Sequence, residues 1–380
     1  MILQSQKTLL KAIQASLFGK DFNPPADANW GEIELEAKAQ TVIGLIDGII
    51  PVQNMMRAQI SAYYLQLIFE QTELVKLLDS VGISFVIIKG TAAAMYYPKP
   101  YLRTMGDIDF LVKRYQYEET KNILKSNGYV LIHENERHAG FEKNGIIFEL
   151  HHHFSTSGYD IDNILEEAID KREYVELNGY RFPVLPCAEN GLVLLGHINQ
   201  HLKENGLGLR QIIDWEMYIY RVSNNSNWQS IFVKLAGDVG LLRLAAYVTG
   251  MCNRHLGLPN KVDWGTDIEG KIEDELLEVV MTDGNFNRRA DLVDAKVDRG
   301  VRDESYRLVK NGWFSYFQNK GLEHWSLCKK IPAFRPFAFV YGFFRQIFKG
   351  ANALIKNKTV GKQYFAGRKR KILYSRLGVK

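Results

Sequence analysis

Cysteine is scarce in this chain, and long uncharged apolar runs are missing. Three cysteines, at positions 187, 252 and 328, lie far apart among 380 residues and form no CxxC pair. Their spacing argues against a disulfide framework or a cysteine-based zinc site and favours a reducing compartment. No stretch approaches the roughly 18 consecutive apolar residues that a membrane-spanning helix needs. The N-terminal region shows helical apolar spacing rather than the unbroken apolar core of a secretion signal, so we expect a cytoplasmic protein.

Acidic residues are absent from the last part of the chain. Residues 345–380 contain 11 Lys and Arg and no Asp or Glu, whereas the whole chain has a net charge of only +5. This basic tail has two interpretations: it binds an anionic partner such as RNA or a membrane surface, or it is a solvated end that contacts the acidic body. The aromatic and basic segment 334–349 is likewise either an interfacial helix on anionic lipid or a helix packed in a core.

The common phosphate-binding and hydrolase motifs are also missing. The chain has no Walker A sequence and no Gly-x-Ser-x-Gly elbow. The run Gly206-Leu207-Gly208 lacks the third glycine and the preceding strand of a dinucleotide-binding fingerprint. Any catalytic chemistry must therefore come from other residues.

Apolar periodicity predicts an α+β fold, with a small mixed sheet flanked by helices and a helical C-terminal region. Residues 52–78 have helical periodicity, and Asn144-Gly145 and Asn178-Gly179 have the composition of hairpin turns. We predict strands at 85–88, 108–112, 129–132, 139–142, 146–151, 175–177 and 180–184. The corresponding division is a helical region at 1–81, an α/β core at 82–185, a helical domain at 186–333 and an aromatic and basic tail at 334–380.

Two aspartates mark the start of the second predicted strand. Asp107 and Asp109 flank Ile108, and residues two apart on a strand share a face. Both carboxylates can therefore converge on divalent cations, while Ile108 and Phe110 point into the core. Magnesium suits such oxygen ligands and commonly shares its shell with phosphates.

Other residues of the centre fit the same site. On the predicted strand 146–151, Glu149 shares a face with His151, so Glu149 joins the aspartates if the two strands are neighbours. It would then act as general base or complete a metal shell. The turn Gly90-Thr91 lies between a strand and a helix and can cradle phosphates, with Lys89 and Arg103 supplying positive charge.

This arrangement resembles the nucleotidyltransferase superfamily related to DNA polymerase beta, and in detail its uncharacterised nucleotidyltransferase family. The resemblance covers roughly residues 50–250 and extends into the helical part. It is carried by Lys89-Gly90, Tyr97-Pro98, Arg103, Asp107 to Val112, Glu149 and His151, followed by His197, His201, Arg210 and Asp214.

Simpler structural explanations exist for these residues. Asp107 can cap a strand end, Asp109 can pair with Arg103, Glu149 can lie on an exposed strand face, and Lys89 can be an ordinary salt-bridge partner. Under these explanations the residues have structural roles and take no part in catalysis.

The histidines and the second helical motif are interpreted as pocket residues. His151, His152 and His153 cannot all converge from one strand, and only His151 is expected beside the carboxylates. His197 and His201 share a helix face without the glutamate of HExxH, so a substrate pocket is favoured over zinc. Arg210 and Asp214 have the same i, i+4 spacing and are expected to pair with each other.

The resemblance implies transfer of a nucleoside monophosphate from ATP or another NTP to an acceptor hydroxyl or phosphate. Asp107 and Asp109 would hold two Mg²⁺ ions, Glu149 would act on the acceptor, and Lys89, Gly90, Thr91 and Arg103 would bind the nucleotide. A small-molecule acceptor is favoured. The alternatives are an RNA acceptor, a non-catalytic nucleotide-binding protein and a protein that contacts the membrane surface.

Overall fold

The computed structural model of the chain describes residues 2–51, 54–155, 159–203, 206–285, 313–325, 332–345 and 360–379. They belong to two units, Met1–Val293 with Leu377–Lys380 and Asp294–Arg376. Cys328 and residues 346–359 of the basic tail lie outside the described residues. The four-part division at residues 81, 185 and 333 stays a prediction.

The first unit contains a seven-stranded sheet and most of the helices. Its helices are α1 (Gln4–Phe18), α2 (Trp30–Ala39), α3 (Asn54–Ser80), α4 (Gly90–Ala94), α5 (Tyr117–Ser126), α6 (Asp162–Asp170), α7 (Cys187–Lys203), α8 (Leu209–Val222), α9 (Ser226–Asp238), α10 (Leu242–Met251) and α11 (Gly270–Asp283). Its strands are β1 (Phe85–Ile88), β2 (Ile108–Val112), β3 (Val130–Glu134), β4 (His138–Lys143), β5 (Ile146–His151), β6 (Glu173–Leu177) and β7 (Tyr180–Val184).

The sheet is mixed, with the strand order β3-β4-β5-β2-β1-β7-β6. The pairs β2–β5 and β1–β7 are parallel, and the other neighbours are antiparallel. The predicted α+β class and the small mixed sheet are confirmed, and every predicted strand is present within two residues at either end. The parallel pairing of β2 with β5 positions the candidate site.

Two hairpins have the turn chemistry that the sequence predicts. In the β4–β5 hairpin, Asn144 and Gly145 have φ values of 53° and 77°. In the β6–β7 hairpin, Asn178 and Gly179 have φ values of 54° and 79°. Two consecutive positive φ angles are typical of the type I′ turn, which matches the twist of the flanking strands. These turns set the register of both hairpins.

Helix α3 covers one face of the sheet. Its apolar side, including Leu67, Leu74 and Leu78, is fully buried against the sheet. The strands contribute Phe110 and Phe148, each with no exposed surface, to the same core. Complete burial of such side chains contributes about 1.5–3 kcal/mol each. This packing commits one face of β2 and β5 to the core and leaves the other face for polar side chains.

An aromatic core anchors the helical part of the first unit. Trp215, Tyr218 and Phe232 are fully buried, and the Trp215 ring lies 5.4 Å from Tyr218 and 5.7 Å from Phe232. Trp215 Nε1 also donates a hydrogen bond of 3.0 Å to Thr249 Oγ1. These contacts fix α8 against α9 and α10, and α8 carries two of the predicted pocket residues.

The second unit contains α12 (Trp313–His324), a helical run at 338–345 and α13 (Val360–Leu377). The aromatic segment packs on α12, since Phe339 stacks on Phe314 at 5.0 Å and Phe343 meets Phe317 at 5.2 Å. Phe344 remains 53% exposed. Of the two interpretations of this segment, the packing contacts favour a helix that buries part of its aromatic surface. Among the described residues, no helix has both the length and the apolar character to cross a bilayer.

Candidate active site

Three carboxylates meet on the polar face of β2 and β5. Asp109 lies directly opposite Glu149 across the parallel pair, and directly paired residues point to the same side of a sheet. Asp107 precedes β2 by one residue and lines the same cavity. The two strands are neighbours, which is the condition under which Glu149 joins the aspartates, and Ile108 and Phe110 face the core with at most 1% exposure.

Asp109 is the centre of a buried polar cluster. Lys89 Nζ donates to Asp109 Oδ1 at 2.6 Å, and His151 Nε2 lies 2.9 Å from the same oxygen. His151 Nε2 is also 3.4 Å from Glu149 Oε2. We define the sheet wall of the cavity as Lys89, Asp107, Asp109, Glu149 and His151. The alternative pairing of Asp109 with Arg103 is wrong, because Lys89 occupies that position.

Lys89 reaches Asp109 from a strained backbone. It follows the last residue of β1 and has φ 53° and ψ −120°, a conformation that residues with a side chain rarely adopt. Such a conformation costs of order 1–3 kcal/mol and persists only where the surroundings impose it. Here the ion pair with Asp109 and the start of α4 hold the turn. The strain lies at the point where β1 enters the cavity.

The sheet wall carries an excess of negative charge. Burial raises the pKa of Asp109, but the Lys89 charge and the His151 hydrogen bond outweigh it and hold that pKa well below its ordinary value. Desolvation, together with the charges of Asp109 and Glu149, raises the pKa of Asp107 to about 6. Burial lowers the pKa of Lys89, yet the Asp109 and Glu149 charges raise it overall. One lysine thus stabilises Asp109 and leaves Asp107 without a comparable partner.

The opposite side of the cavity is helical. We define the helical wall as His197, Gln200 and His201 of α7 with Arg210 of α8. The cavity that the two walls line has a volume of about 160 Å³. His197 Nε2 and His201 Nε2 are 2.9 Å apart. Burial lowers the pKa of His197 well below its ordinary value and that of His201 to about 3, so both rings are neutral at pH 7.

Two arginines that line the cavity, Arg103 and Arg210, have partners other than those suggested by the sequence. Asp214 accepts two hydrogen bonds from Arg103, at 2.7 Å from Nε and 2.8 Å from Nη2, and a third of 2.8 Å from the Tyr97 hydroxyl. The expected pairing of Arg210 with Asp214 is therefore wrong. Arg210 Nη1 donates to the Thr104 carbonyl at 3.4 Å, and its buried Nε has no hydrogen-bond partner among the residues that the structure describes. Burial and the Arg103 charge lower the pKa of Arg210.

The predicted nucleotide-binding residues do not all reach the cavity. Lys89, Gly90 and Arg103 line it. Thr91 does not, because it is 1% exposed and its hydroxyl donates to Gln71 Oε1 at 2.9 Å. The backbone turn at Gly90 borders the site, but the Thr91 hydroxyl faces α3.

Sequence reasoning missed several side chains that line the cavity. They come from the β3–β4 turn, from β4, from the segment after β5 and from α7, and they are Arg137, His138, His153, Phe154 and Gln200. Only the adjacency of β4 to β5, a property of the folded sheet, brings His138 to the site. Of the tandem histidines, His151 contacts the carboxylates as expected, whereas His153 Nδ1 binds Asp162 Oδ2 at 3.0 Å and the His152 ring lies 3.8 Å from the Tyr117 ring at a tilted angle.

The donor set of the sheet wall fits a hard divalent cation. Ligand atoms of Asp109, Glu149 and His151 lie within 4.8 Å of one another, and Asp107 borders the same cavity outside that group. Carboxylate oxygens are the ligands that Mg²⁺ prefers, and a cation would relieve the repulsion that raises the pKa of Asp107. A cation at Asp109 would share that carboxylate with the Lys89 ammonium group.

Comparison with known proteins gives one family and several distant structures. A family model described as uncharacterised nucleotidyltransferase matches residues 52–257. No curated protein matches the chain. One similar solved structure is the antibiotic-resistance factor ANT(2'')-Ia, with 12% identity, a TM-score of 0.33, and coverage of 51% of this chain and 100% of that chain. Another is an antigenic nucleotidyltransferase-like protein from Paracoccidioides brasiliensis, with 15% identity, a TM-score of 0.30, and coverage of 50% and 91%.

Proposed function

The chain belongs to the uncharacterised nucleotidyltransferase family and is a transferase, and on that premise we propose that it moves a nucleoside monophosphate from an NTP to an acceptor hydroxyl or phosphate. The observation that carries this proposal is the register of β2 and β5. It places Asp109 opposite Glu149, with Asp107 and Lys89 beside them in one cavity. Paired carboxylates that face a wall of hydrogen-bonding groups with one arginine are suited to a metal-bound triphosphate.

Asp107 and Asp109 would hold Mg²⁺, two ions in the full site, as proposed from the sequence. When bound, Mg²⁺ supplies positive charge to the phosphate oxygens of the substrate. Lys89 would keep Asp109 ionised, since its ammonium group lies 2.6 Å from Oδ1. The protein therefore prepares an ionised ligand before any substrate arrives.

Glu149 would accept the proton of the acceptor hydroxyl as that oxygen attacks the α-phosphorus, with pyrophosphate as the leaving group. Its side chain is 22% exposed, so it is accessible from the cavity. His151 contacts Glu149 and Asp109 together and would orient both carboxylates. His151 is in this reading a positioning residue.

Arg210 is the arginine best suited to bind substrate phosphate. Its Nε atom is buried without a hydrogen-bond partner, and the guanidinium lines the cavity. Arg103, in contrast, directs its Nε and Nη2 groups to Asp214 in a bidentate contact. We therefore assign phosphate binding to Arg210 and Lys89, and a supporting role to Arg103.

A small polar molecule is the proposed acceptor. The helical wall offers two neutral imidazoles, an amide and a guanidinium, all of them groups that recognise hydroxyls and phosphates by hydrogen bonds. An RNA acceptor is the second candidate because of the charge of residues 345–380. It ranks lower because Lys369, Arg370, Lys371 and Arg376 of that tail each interact with another residue.

The test measures pyrophosphate release from each of the four NTPs with Mg²⁺, in the presence of either the small-molecule fraction of a cell extract or total RNA. We expect NTP-dependent transfer of label to a small molecule, and none in Asp109→Asn. Label in the RNA fraction would select the second acceptor class. Full pyrophosphate release by Asp109→Asn would contradict the proposed site.

A further inference from the structure

A row of polar side chains crosses the sheet beyond the carboxylates. His133 of β3 pairs with Gly140 of β4, Gly140 pairs with Glu149 of β5, and Glu149 pairs with Asp109 of β2. Directly paired residues share a sheet face, so His133 lies on the same face as the carboxylates. His138 belongs to that face as well, since it is two residues from Gly140 on the same strand.

An irregularity in β3 is what turns His133 towards this face. The register shifts between Leu131, which pairs with Phe141, and His133, which pairs with Gly140. Without the shift, Ile132 would oppose Gly140 and His133 would point to the opposite face of the sheet. β-Bulges are frequent next to functional sites, where they redirect a side chain. The bulge therefore places an imidazole where regular pairing would place an isoleucine.

Gly140 provides the space that the His133 ring occupies. A Cβ atom at Gly140 would lie 2.0 Å from His133 Cε1 and 2.6 Å from His133 Nε2. Any larger residue would displace the ring from its position between β3 and Glu149. The missing side chain of Gly140 thus allows His133 to reach over β4 towards its neighbours.

The two imidazole nitrogens have the spacing of a tetrahedral metal shell, and the carboxylate oxygen lies slightly farther away. His133 Nε2 is 3.3 Å from His138 Nε2, and His138 Nε2 is 3.9 Å from Glu149 Oε1. With Zn–N bonds of about 2.0–2.1 Å, two nitrogens of a tetrahedral site are about 3.3 Å apart. All three ligand atoms lie within 4.8 Å of one another. Asn135 Nδ2 also lies 3.3 Å from His138 Nε2, so a metal would displace that amide contact.

We propose that His133, His138 and Glu149 form a binding site for a divalent transition-metal ion, with Zn²⁺ as the best-fitting ion and a fourth position open to water. Imidazole nitrogen with one carboxylate suits zinc, whereas magnesium prefers an all-oxygen shell. The site does not include the Asp107 and Asp109 ligands, but it shares Glu149 with the proposed active site and takes His138 from the lining of the same cavity. Glu149 directs Oε2 towards His151 and Oε1 towards His138.

The test is calorimetric titration of the untagged, metal-free chain with Zn²⁺ in the presence of excess Mg²⁺. The variants are His133→Ala, His138→Ala and Gly140→Ala, the last of which displaces a ligand without removing it. The controls are His197→Ala on the helical wall and His255→Gln, whose ring binds Asp274 outside the cavity. Thermal melting without metal checks that each variant folds.

We expect one equivalent of Zn²⁺ in the wild type, and affinity at least about tenfold weaker in all three site variants, with both controls unchanged. The visible spectrum of the Co²⁺ form should have the intensity of a tetrahedral site and lose it in His133→Ala. Equal zinc affinity in the wild type, His133→Ala and His138→Ala would overturn the proposal. Loss of zinc in His197→Ala alone would also overturn it, because the metal would then lie on the helical wall. Neither measurement depends on turnover, so failure here leaves the proposed nucleotidyl transfer untouched.

Discussion

The two walls of the cavity differ in the sign of their excess charge. The sheet wall concentrates three carboxylates against Lys89 and His151, and burial together with the neighbouring carboxylate charges raises the pKa of Asp107 to about 6. The helical wall has two imidazoles that burial keeps neutral and one guanidinium, Arg210, with an unpartnered buried Nε. The sheet wall therefore has an excess of negative charge, and the helical wall has an excess of positive charge. A metal-bound triphosphate between them would satisfy both.

Two buried ion pairs make the same contrast on a smaller scale. Arg103 and Asp214 form a bidentate contact that Tyr97 completes, and the pair is saturated in charge because its two charges neutralise each other without a ligand. Lys89 and Asp109 form a pair that is surrounded by two further carboxylates. A saturated pair is typical of structure, and a pair with surplus charge is typical of a site. The comparison predicts which substitutions will lower the stability of the fold and which will lower the activity alone.

The largest effect is expected on the sheet wall. Asp109→Asn should abolish turnover and weaken Mg²⁺-dependent NTP binding, because it removes an ionised metal ligand. Glu149→Gln should bind NTP with near-normal affinity while turnover falls by roughly 10²–10⁴, the usual contribution of a general base. Calorimetric NTP titration beside a rate assay separates the two roles. Equal loss of NTP binding in both variants would make Glu149 a metal ligand.

The saturated pair is expected to control stability. Arg103→Ala leaves the Asp214 carboxylate buried without its partner, which should lower the free energy of unfolding by about 3–5 kcal/mol. Arg114→Ala is the matched control, because its 3.7 Å contact with Glu166 is exposed and should contribute less than about 1 kcal/mol. Urea unfolding measures both. Wild-type stability of Arg103→Ala with lost NTP binding would return Arg103 to the phosphate-binding role that sequence favoured.

The strands and the hairpins were predictable because their signals are local, whereas the adjacency of β2 and β5 entered the sequence analysis only as a condition. Alternating apolar residues and Asn-Gly turns act within a few positions of the chain. Partner choice was not predictable in this way. Asp214 and Arg210 have the spacing of a helical ion pair, yet Asp214 pairs with Arg103, 111 positions away. Tertiary packing determines which arginine pairs with Asp214, and the sequence around Asp214 or Arg210 does not indicate the outcome.

The same limit explains two other differences. Thr91 follows a glycine turn and looks like a phosphate ligand, but α3 brings Gln71 to its hydroxyl. His133 and His138 carry no motif, since their meeting depends on a bulge in β3 and on strand order. A register shift of one residue exchanges the faces of a strand, and apolar patterning does not reveal it where β3 is exposed.

A smaller effect is expected on the helical wall. Arg210→Gln should weaken NTP binding about tenfold to hundredfold, since a hydrogen bond to a charged group contributes about 1.5–3 kcal/mol. Arg221→Gln is the control on the same helix, because Arg221 donates to the Tyr96 carbonyl and does not line the cavity. Unchanged NTP affinity in Arg210→Gln would show that the sheet wall alone holds the phosphates. The contrast between the walls would then lose its functional meaning.

The smallest effect concerns the neutral imidazoles and pH. Burial lowers the pKa of His201 to about 3, whereas an unfolded histidine titrates near about 6.5. The unfolded state therefore binds the proton first, so the stability contributed by His201 is complete above about pH 6.5 and is lost as the pH falls towards 3. Between pH 7 and 5.5 this loss is about 1 kcal/mol. Urea unfolding should show that His201→Gln removes this part of the pH dependence and that the control His255→Gln retains it. An unchanged slope in His201→Gln would mean that the ring binds protons equally in the folded and unfolded states, and below about pH 6.5 the helical wall would then carry more positive charge than Arg210 alone.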